Sequence, residues 1–324
     1  MRIVLLGGAG FLGCKLAKSL LEKGYINDSS GINQKFEKLV VFDKLQANLG
    51  VDERLEVITG NIADSATLEK LILPRTDIII HLAAIVSGEA EKNFELGMQV
   101  NLLATQNLLE ICRSLSKPPR FLFSSSVGVF GGDMPEVIED DTAPVPQSSY
   151  GTQKAIVELL VNDYSRRGFI NGLSLRLPTI VVRPGKPNAA TTTFASSIIR
   201  EPLQGERVVC PVTPDTQLWI LSPRQVIRSV IKALDMDSSS LGKNRILSLP
   251  GITVSVQDMV KALEAVAGKE AIQRIDWQPD LFIQKIVGSF PSYFRPTRAL
   301  ELGFKSDKSM TEIIQNFIDD DMAQ

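Results

Sequence analysis

The feature that most constrains this fold lies in the first thirteen residues. Arg2-Ile3-Val4-Leu5-Leu6 is a short apolar run, followed at once by Gly7-Gly8-Ala9-Gly10-Phe11-Leu12-Gly13, and helical periodicity then runs over Phe11–Lys23. The order is that of a buried strand, a glycine turn and a helix. Glycine suits the turn because a side chain would hold the backbone away from a pyrophosphate. Such a group rests on the free N–H groups of a helix start, here those of Phe11, Leu12 and Gly13. Gly7, Gly10 and Gly13 are spaced Gly-x-x-Gly-x-x-Gly rather than the commoner Gly-x-Gly-x-x-Gly.

Beyond the turn, apolar strand-like runs alternate with helical patterns, which argues for a parallel sheet covered on both faces. Strands are expected at Arg2–Leu6, Lys38–Phe42, Glu56–Thr59, Asp77–His81, Arg120–Ser124 and Gly172–Leu177. Helices are expected over Phe11–Lys23, Ala66–Leu73, Asn93–Leu115 and Ser149–Gly168. After about residue 180 the alternation loosens, and Pro184, Pro187, Pro202, Pro211, Pro214 and Pro223 punctuate short elements. Helices near Pro223–Ala233, Val256–Gly268 and Thr311–Asp319 follow. The expected class is α/β: a doubly wound parallel sheet (Rossmann fold) over residues 1–180, with a smaller substrate-binding lobe over 181–324. That boundary is soft, because late elements can return to the first domain.

Composition narrows the partners. Lysine plus arginine number 35 against 37 aspartates plus glutamates, so neither nucleic acid nor an anionic membrane is the expected partner. No apolar run approaches the ~20 residues of a membrane-spanning helix. The N-terminal apolar segment is broken by glycines and lacks a signal-peptidase site. Cys14, Cys112 and Cys210 are isolated, and there is one histidine, so neither a disulfide framework nor a metal site is expected. The expectation is a cytoplasmic protein.

The strand Leu39-Val40-Val41-Phe42 ends at Asp43. A carboxylate there accepts hydrogen bonds from an adenosine ribose and repels a 2′-phosphate, which favours NAD over NADP, although Lys44 softens the preference. Asn61 and Ile62 follow the third strand, where an adenine contact is expected. The fourth strand runs into His81-Leu82-Ala83-Ala84, whose small residues let backbone approach the cofactor. His81 abuts an apolar strand, and a structural role is expected for it.

Tyr150 and Lys154 stand four residues apart, hence on one helix face. A nearby ammonium stabilises a phenolate and lowers the phenol's pKa, so that tyrosine can exchange a proton with a substrate hydroxyl. Lys154 can also hold the nicotinamide ribose. Upstream, Phe121-Leu122-Phe123 delivers Ser124-Ser125-Ser126 to a strand end, where a hydroxyl can bond the reacting oxygen.

These motifs, in this order and approximate spacing, resemble the extended short-chain dehydrogenase/reductase family, the group of nucleotide-sugar epimerases and dehydratases. Asn101 and the Ser124–Gly131 segment join the resemblance, which spans nearly the whole chain. It implies that Ser126 carries the active hydroxyl, with Ser125 as runner-up. It also implies that Asn101 supports the lysine or holds water, and that Pro178 and Ile180 lie against the nicotinamide. The helices around Asn93–Leu115 and Ser149–Gly168 would pair across a homodimer. Asn61 departs from the family, which more often has aspartate there.

Most such enzymes act on nucleotide sugars, but Leu175–Asn188 lacks the tyrosine-glycine-proline sequence usual in the epimerases. It carries Arg183 and Lys186 instead, and Ser222-Pro223-Arg224 stands where many relatives have an aspartate pair. Cations in a substrate cleft suit a small carboxylate, and equally a pyrophosphate. The runs Tyr150–Ile156, Asn162–Phe169, Arg183–Ala190 and Ile85–Ala90 resemble, more particularly, bacterial dehydrogenases of four-carbon sugar acids. That implies NAD-dependent oxidation of the C2 hydroxyl of D-erythronate, with Arg183 on the carboxylate and Ser87 on the substrate. The competing readings are an epimerase or dehydratase that keeps NAD tightly bound, and a catalytically silent NAD-binding protein of the same fold.

Overall fold

A computed structural model describes residues 1–28, 31–185 and 191–322. Its centre is a seven-stranded sheet. In spatial order the strands are Ile246–Ser248, Asn171–Leu177, Arg120–Ser126, Ile78–His81, Arg2–Leu6, Lys38–Asp43 and Leu55–Thr59. Every neighbouring pair is parallel. Such strands are buried on both faces, which is why Arg2–Leu6 and Ile78–His81 are buried at every position.

Side chains of one strand alternate between two cores. Ile3 and Leu5 pack with Leu16 and Leu20 of the helix Phe11–Lys23, and with Val226 and Val230 of the helix Pro223–Asp235. Val4 and Leu6 pack with Leu68, Leu108, Val157 and Val161 on the opposite face. A third core fills the C-terminal lobe, where Val181, Phe194, Ile198, Met259, Ile313 and Phe317 gather. There a small sheet joins Thr179–Ile180, Gln217–Leu221 and Ile252–Ser255. The strand Ile246–Ser248 and the helix Pro223–Asp235, although late in the chain, belong to the large sheet and its cover.

The sheet order reverses between Arg2–Leu6 and Ile78–His81, and the crevice outside the carboxyl ends of strands at such a point is where ligands bind in open α/β sheets. The glycine turn and the segment after His81 both sit there.

The helix expected over Asn93–Leu115 runs as Phe94–Gly97, a π-helical segment Met98–Leu103 and the α-helix Ala104–Arg113 without a break, and a separate helix, Ser87–Lys92, precedes it. Asn93 breaks the first helix from the second because its side chain accepts the Leu96 N–H at 3.1 Å. The π segment carries Asn101, whose side chain bonds outward to neighbouring elements, and π insertions commonly mark such functional positions.

Candidate active site

The glycine turn is built by close contact. Gly7 has φ +81°, and a Cβ on it would stand 2.5 Å from the Ala83 nitrogen; one on Gly13 would stand 2.3 Å from the Gly7 carbonyl oxygen. These two glycines are demanded by the protein's own packing. Gly10 is different: a Cβ there would meet only the Gly7 oxygen, at 3.4 Å, and the residue is exposed. The helix behind it has no side-chain cap, so its first N–H groups face the cleft without a side-chain partner. An uncapped helix start behind an uncrowded glycine fits a pyrophosphate. Asp43 is held beside it: its Oδ2 accepts the Ala9 N–H at 2.9 Å and its Oδ1 the Leu45 N–H at 3.2 Å.

The strand Arg120–Ser126 and the helix Ser149–Arg166 position the candidate reactive groups. Ser148 caps the helix, accepting the Gly151 N–H at 3.1 Å. A Cβ at Gly151 would stand 2.2 Å from the Gly128 carbonyl oxygen, so the helix start is pressed against the turn that follows the serines. Tyr150 and Lys154 then face the serine strand. The Lys154 Nζ donates to the Ser124 carbonyl at 2.7 Å and lies 4.5 Å from the centre of the Phe123 ring. Ser126 Oγ accepts the Gly128 N–H at 3.0 Å and lies beside the Tyr150 phenol, whose pKa it lowers.

The electrostatics differ from the expectation. Burial pushes the Tyr150 phenol up to about 12, opposed only by Ser126. Burial pulls Lys154 down to about 7, opposed by Glu158. The ammonium is directed at the Ser124 carbonyl rather than at the phenol oxygen, and desolvation outweighs the attraction that spacing alone suggested.

One cleft of about 360 Å³ gathers most of the expected residues: Gly7, Gly10, Phe11, Leu12, Gly13, Leu82, Ala84, Ser87, Ser124, Ser125, Ser126, Tyr150, Lys154, Pro178, Ile180 and Arg183. The Ser125 hydroxyl, however, donates to Glu158 Oε1 at 2.5 Å. Ala83 packs against Gly7 and the core rather than lining the cleft. Ile62 is a core side chain, and Asn61 Oδ1 accepts the Ala63 N–H at an exposed turn.

Asn101, expected to support the lysine or hold water, bonds Ile85 and Gln153 and makes no bond to Lys154 among the described residues. Its Nδ2 donates to the Ile85 carbonyl at 3.1 Å and to Gln153 Oε1 at 2.8 Å, and its Oδ1 accepts the Ile85 N–H at 2.8 Å. These bonds position the segment leading to Ser87. His81 is structural, as its apolar strand suggested. Thr105 Oγ1 donates to the Asn101 carbonyl, so the His81 Nε2–H donates to Thr105 at 2.9 Å, leaving a neutral ring pushed down to about 3 by burial.

Arg183 lines the cleft with its backbone pinned at both ends. Its N–H donates to Ser196 Oγ at 3.1 Å and its carbonyl accepts from Arg200 at 2.7 Å. Among the described residues no carboxylate pairs with its guanidinium, and burial together with Arg200 lowers its pKa. Arg200 itself is neutralised by Glu201 at 2.6 Å. Arg224 is not a cleft residue: it pairs with Asp320 at 2.6 Å and Asp319 at 3.6 Å in the C-terminal segment. Lys186 lies outside the described residues. Sequence reasoning missed Thr191, Thr192, Gln217, Phe290 and Pro291, and Trp219 as a cleft residue. They come from separate segments of the lobe with no shared motif.

Among the described residues no helix is long and apolar enough to cross a membrane, and no cluster of three metal-ligating side chains occurs.

A Rossmann sheet whose glycine turn and Ser/Tyr/Lys group meet in one crevice, with an acidic strand end bonded to that turn, defines an NAD-linked oxidoreductase acting on a CH–OH group. The chain belongs to the NAD-dependent epimerase/dehydratase family, whose model matches residues 3–236. It is 48% identical to a D-erythronate dehydrogenase of Cupriavidus necator, over 99% of this chain and 98% of that protein. It is 46% identical to a D-erythronate dehydrogenase of Haemophilus influenzae, over 99% of this chain and 100% of the other. A crystal structure described as a nucleoside-diphosphate-sugar epimerase of Agrobacterium tumefaciens superposes with TM-score 0.94 at 40% identity, covering 100% of this chain and 95% of that one.

Proposed function

We propose that the protein is an NAD-dependent dehydrogenase that oxidises the C2 hydroxyl of D-erythronate to 2-dehydro-D-erythronate. The observation that carries the reading is Arg183, a partly buried guanidinium in the same cleft as Tyr150 and Ser126, with no carboxylate partner among the described residues. A short-chain carboxylate supplies the missing charge, and arginine's fork takes it through two parallel bonds. Full-length likeness to two D-erythronate dehydrogenases supports the same substrate.

A bound NAD would supply the hydride acceptor for C2. Gly7, Gly10, Phe11, Leu12 and Gly13 hold its pyrophosphate, and Asp43 takes the adenosine ribose hydroxyls. Asn61 and the backbone of Ile62 would flank the adenine, the Ile62 side chain staying in the core. Leu82 and Ala84 form the floor, with the Ala83 backbone behind them against Gly7, and Pro178 and Ile180 would meet the nicotinamide. Tyr150 acts as the phenolate, its own proton first passing to solvent, and takes the proton of the C2 hydroxyl; Ser126, whose Oγ is already fixed by the Gly128 N–H, donates to the reacting oxygen. Lys154 holds the nicotinamide ribose, and its charge stabilises the phenolate as Tyr150 ionises. Asn101 positions the 84–87 segment, and Ser87 contacts the substrate. Residues 1–180 supply the cofactor site and most of 181–324 the substrate lobe. The protein works in the cytoplasm as a homodimer, pairing through Phe94, Leu103 and Leu159, apolar side chains exposed on the helices expected to pair.

The name of the Agrobacterium structure favours a second reading, an epimerase that recycles bound NAD. NADH formation from NAD and D-erythronate, measured by its absorbance beside Tyr150→Phe, separates the two. Turnover that disappears in the variant is the expected result. No turnover on any aldonate, with NAD retained through purification, moves the assignment to the epimerase.

A further inference from the structure

The chemistry above leaves unused a buried ionic group directly behind the reactive pair. Glu158 lies one helical turn beyond Lys154, and its side chain is 1% exposed; the Arg176 side chain opposite is 6% exposed. Arg176 donates from Nε to Glu158 Oε1 at 2.9 Å and from Nη2 to Oε2 at 2.7 Å. Ser125 supplies the third bond, at 2.5 Å, and Ser125 and Arg176 are direct register partners on adjacent strands. The carboxylate therefore ties the reactive helix to the serine strand and to the strand beside it. Such a pair is a poor device for stability alone, because desolvation consumes most of the attraction and apolar replacements are often neutral or stabilising.

Its place suggests another use. Ser124, whose carbonyl receives the Lys154 ammonium, is the neighbour of Ser125. On their own helix Tyr150 and Glu158 face Lys154. The strand Arg120–Ser126 presents the Ser124 carbonyl and the Phe123 ring, Ile78–His81 presents neutral His81, and Asn171–Leu177 presents Arg176. Glu158 is the carboxylate that opposes the burial of the ammonium. With Lys154 and Arg176 charged, Glu158 leaves the group one unit positive, and a phenolate on Tyr150 brings the four to zero.

We propose that Glu158, clamped by Arg176 and Ser125, is a positioning residue for Lys154: it provides the buried counter-charge of the ammonium and fixes the spacing that aims Nζ at the Ser124 carbonyl. This rests on Tyr150 and Lys154 as the proton-handling pair and is independent of which acid is oxidised.

The test is the titration of the Lys154 Cε resonance in protein labelled with ¹³C-lysine, assigned by its loss in Lys154→Arg. In Glu158→Gln the midpoint falls by about one pH unit or more, a tenfold change in the protonation equilibrium. In Glu158→Gln/Arg176→Met it falls less, because the repelling guanidinium has gone too. The alkaline limb of kcat moves in parallel. A midpoint unmoved in folded Glu158→Gln, even with a lower Tm, overturns the proposal and leaves the pair as packing. Should Glu158→Gln not fold, the double variant decides alone: a lowered midpoint supports the proposal and an unchanged one overturns it. A shifted midpoint in an enzyme silent toward D-erythronate refutes the substrate and keeps the positioning role.

Discussion

Arg183→Met offers the sharpest test of the substrate reading, because its effects on affinity and on stability have opposite signs. A hydrogen bond to a charged group contributes about 1.5–3 kcal/mol, so losing the fork is expected to lower kcat/KM for D-erythronate by roughly 10- to 150-fold. Arg183→Lys keeps the charge without the fork and falls between. Stability moves the other way. The guanidinium is desolvated and repelled by Arg200, with no carboxylate among the described residues to offset it, so Arg183→Met is expected to leave Tm unchanged or raise it. Initial rates of NADH formation on D-erythronate and on its amide isolate the charge. Wild-type enzyme prefers the acid, and Arg183→Met loses most of that preference. An acid-to-amide ratio unchanged by the substitution would falsify the assignment, whatever happened to kcat.

Two further outcomes follow from the geometry. Gly13→Ala places a Cβ 2.3 Å from the Gly7 oxygen and 2.6 Å from the Gly8 Cα, both backbone atoms, so the turn must shift; NAD affinity measured by calorimetry is expected to fall at least tenfold, with lowered Tm. Lys154 is held near 7 in the fold against its ordinary 10.5, so between those values the unfolded chain carries a proton the folded one has lost. Stability attributable to this group therefore rises with pH from about 7 upward, by at most about 1.4 kcal/mol per unit. Denaturant midpoints between pH 7 and about 9 are expected to rise less steeply in Lys154→Met; an identical slope would mean that the lysine is not desolvated in solution.

Local order was legible wherever short-range pattern decides structure. The strand Arg2–Leu6 and the helix Phe11–Lys23 have the expected bounds, because a run of five apolar residues, a glycine turn and a 3.6-residue period admit little else. Tyr150 and Lys154 share a face by helix geometry alone. What sequence could not supply was anything set by distant packing. Arg224 stands close to Trp219 in the chain, but Pro223 starts a new helix there and turns it toward the acidic C-terminal segment. The π segment carries Asn101, whose partners Ile85 and Gln153 lie 16 and 52 residues away, beyond the reach of any local pattern. The raised phenol of Tyr150 follows from burial, a property of the assembled site that a four-residue spacing does not carry.

The division of labour among the three serines follows from the two-residue period of a strand. Phe121 and Phe123 face the core beneath the helix Ser149–Arg166, and Ser125 continues that parity, which is why its hydroxyl finds Glu158. Leu122 faces the opposite core, so Ser124 and Ser126 emerge on the cofactor side. The Ser124 hydroxyl is spent on the His81 carbonyl at 3.0 Å, tying the serine strand to its neighbour, and the Ser124 carbonyl receives Lys154. Ser126 is the last residue of the strand, where the chain turns at Val127–Val129, and its hydroxyl alone lies beside the Tyr150 phenol. Parity thus supports Ser126 rather than Ser125 as the reacting-oxygen partner. A one-residue slip of this strand would bury the proposed reacting hydroxyl against Glu158 and turn the structural one into the cleft, so the register with Asn171–Leu177 would fix the chemistry as firmly as the identity of the serines.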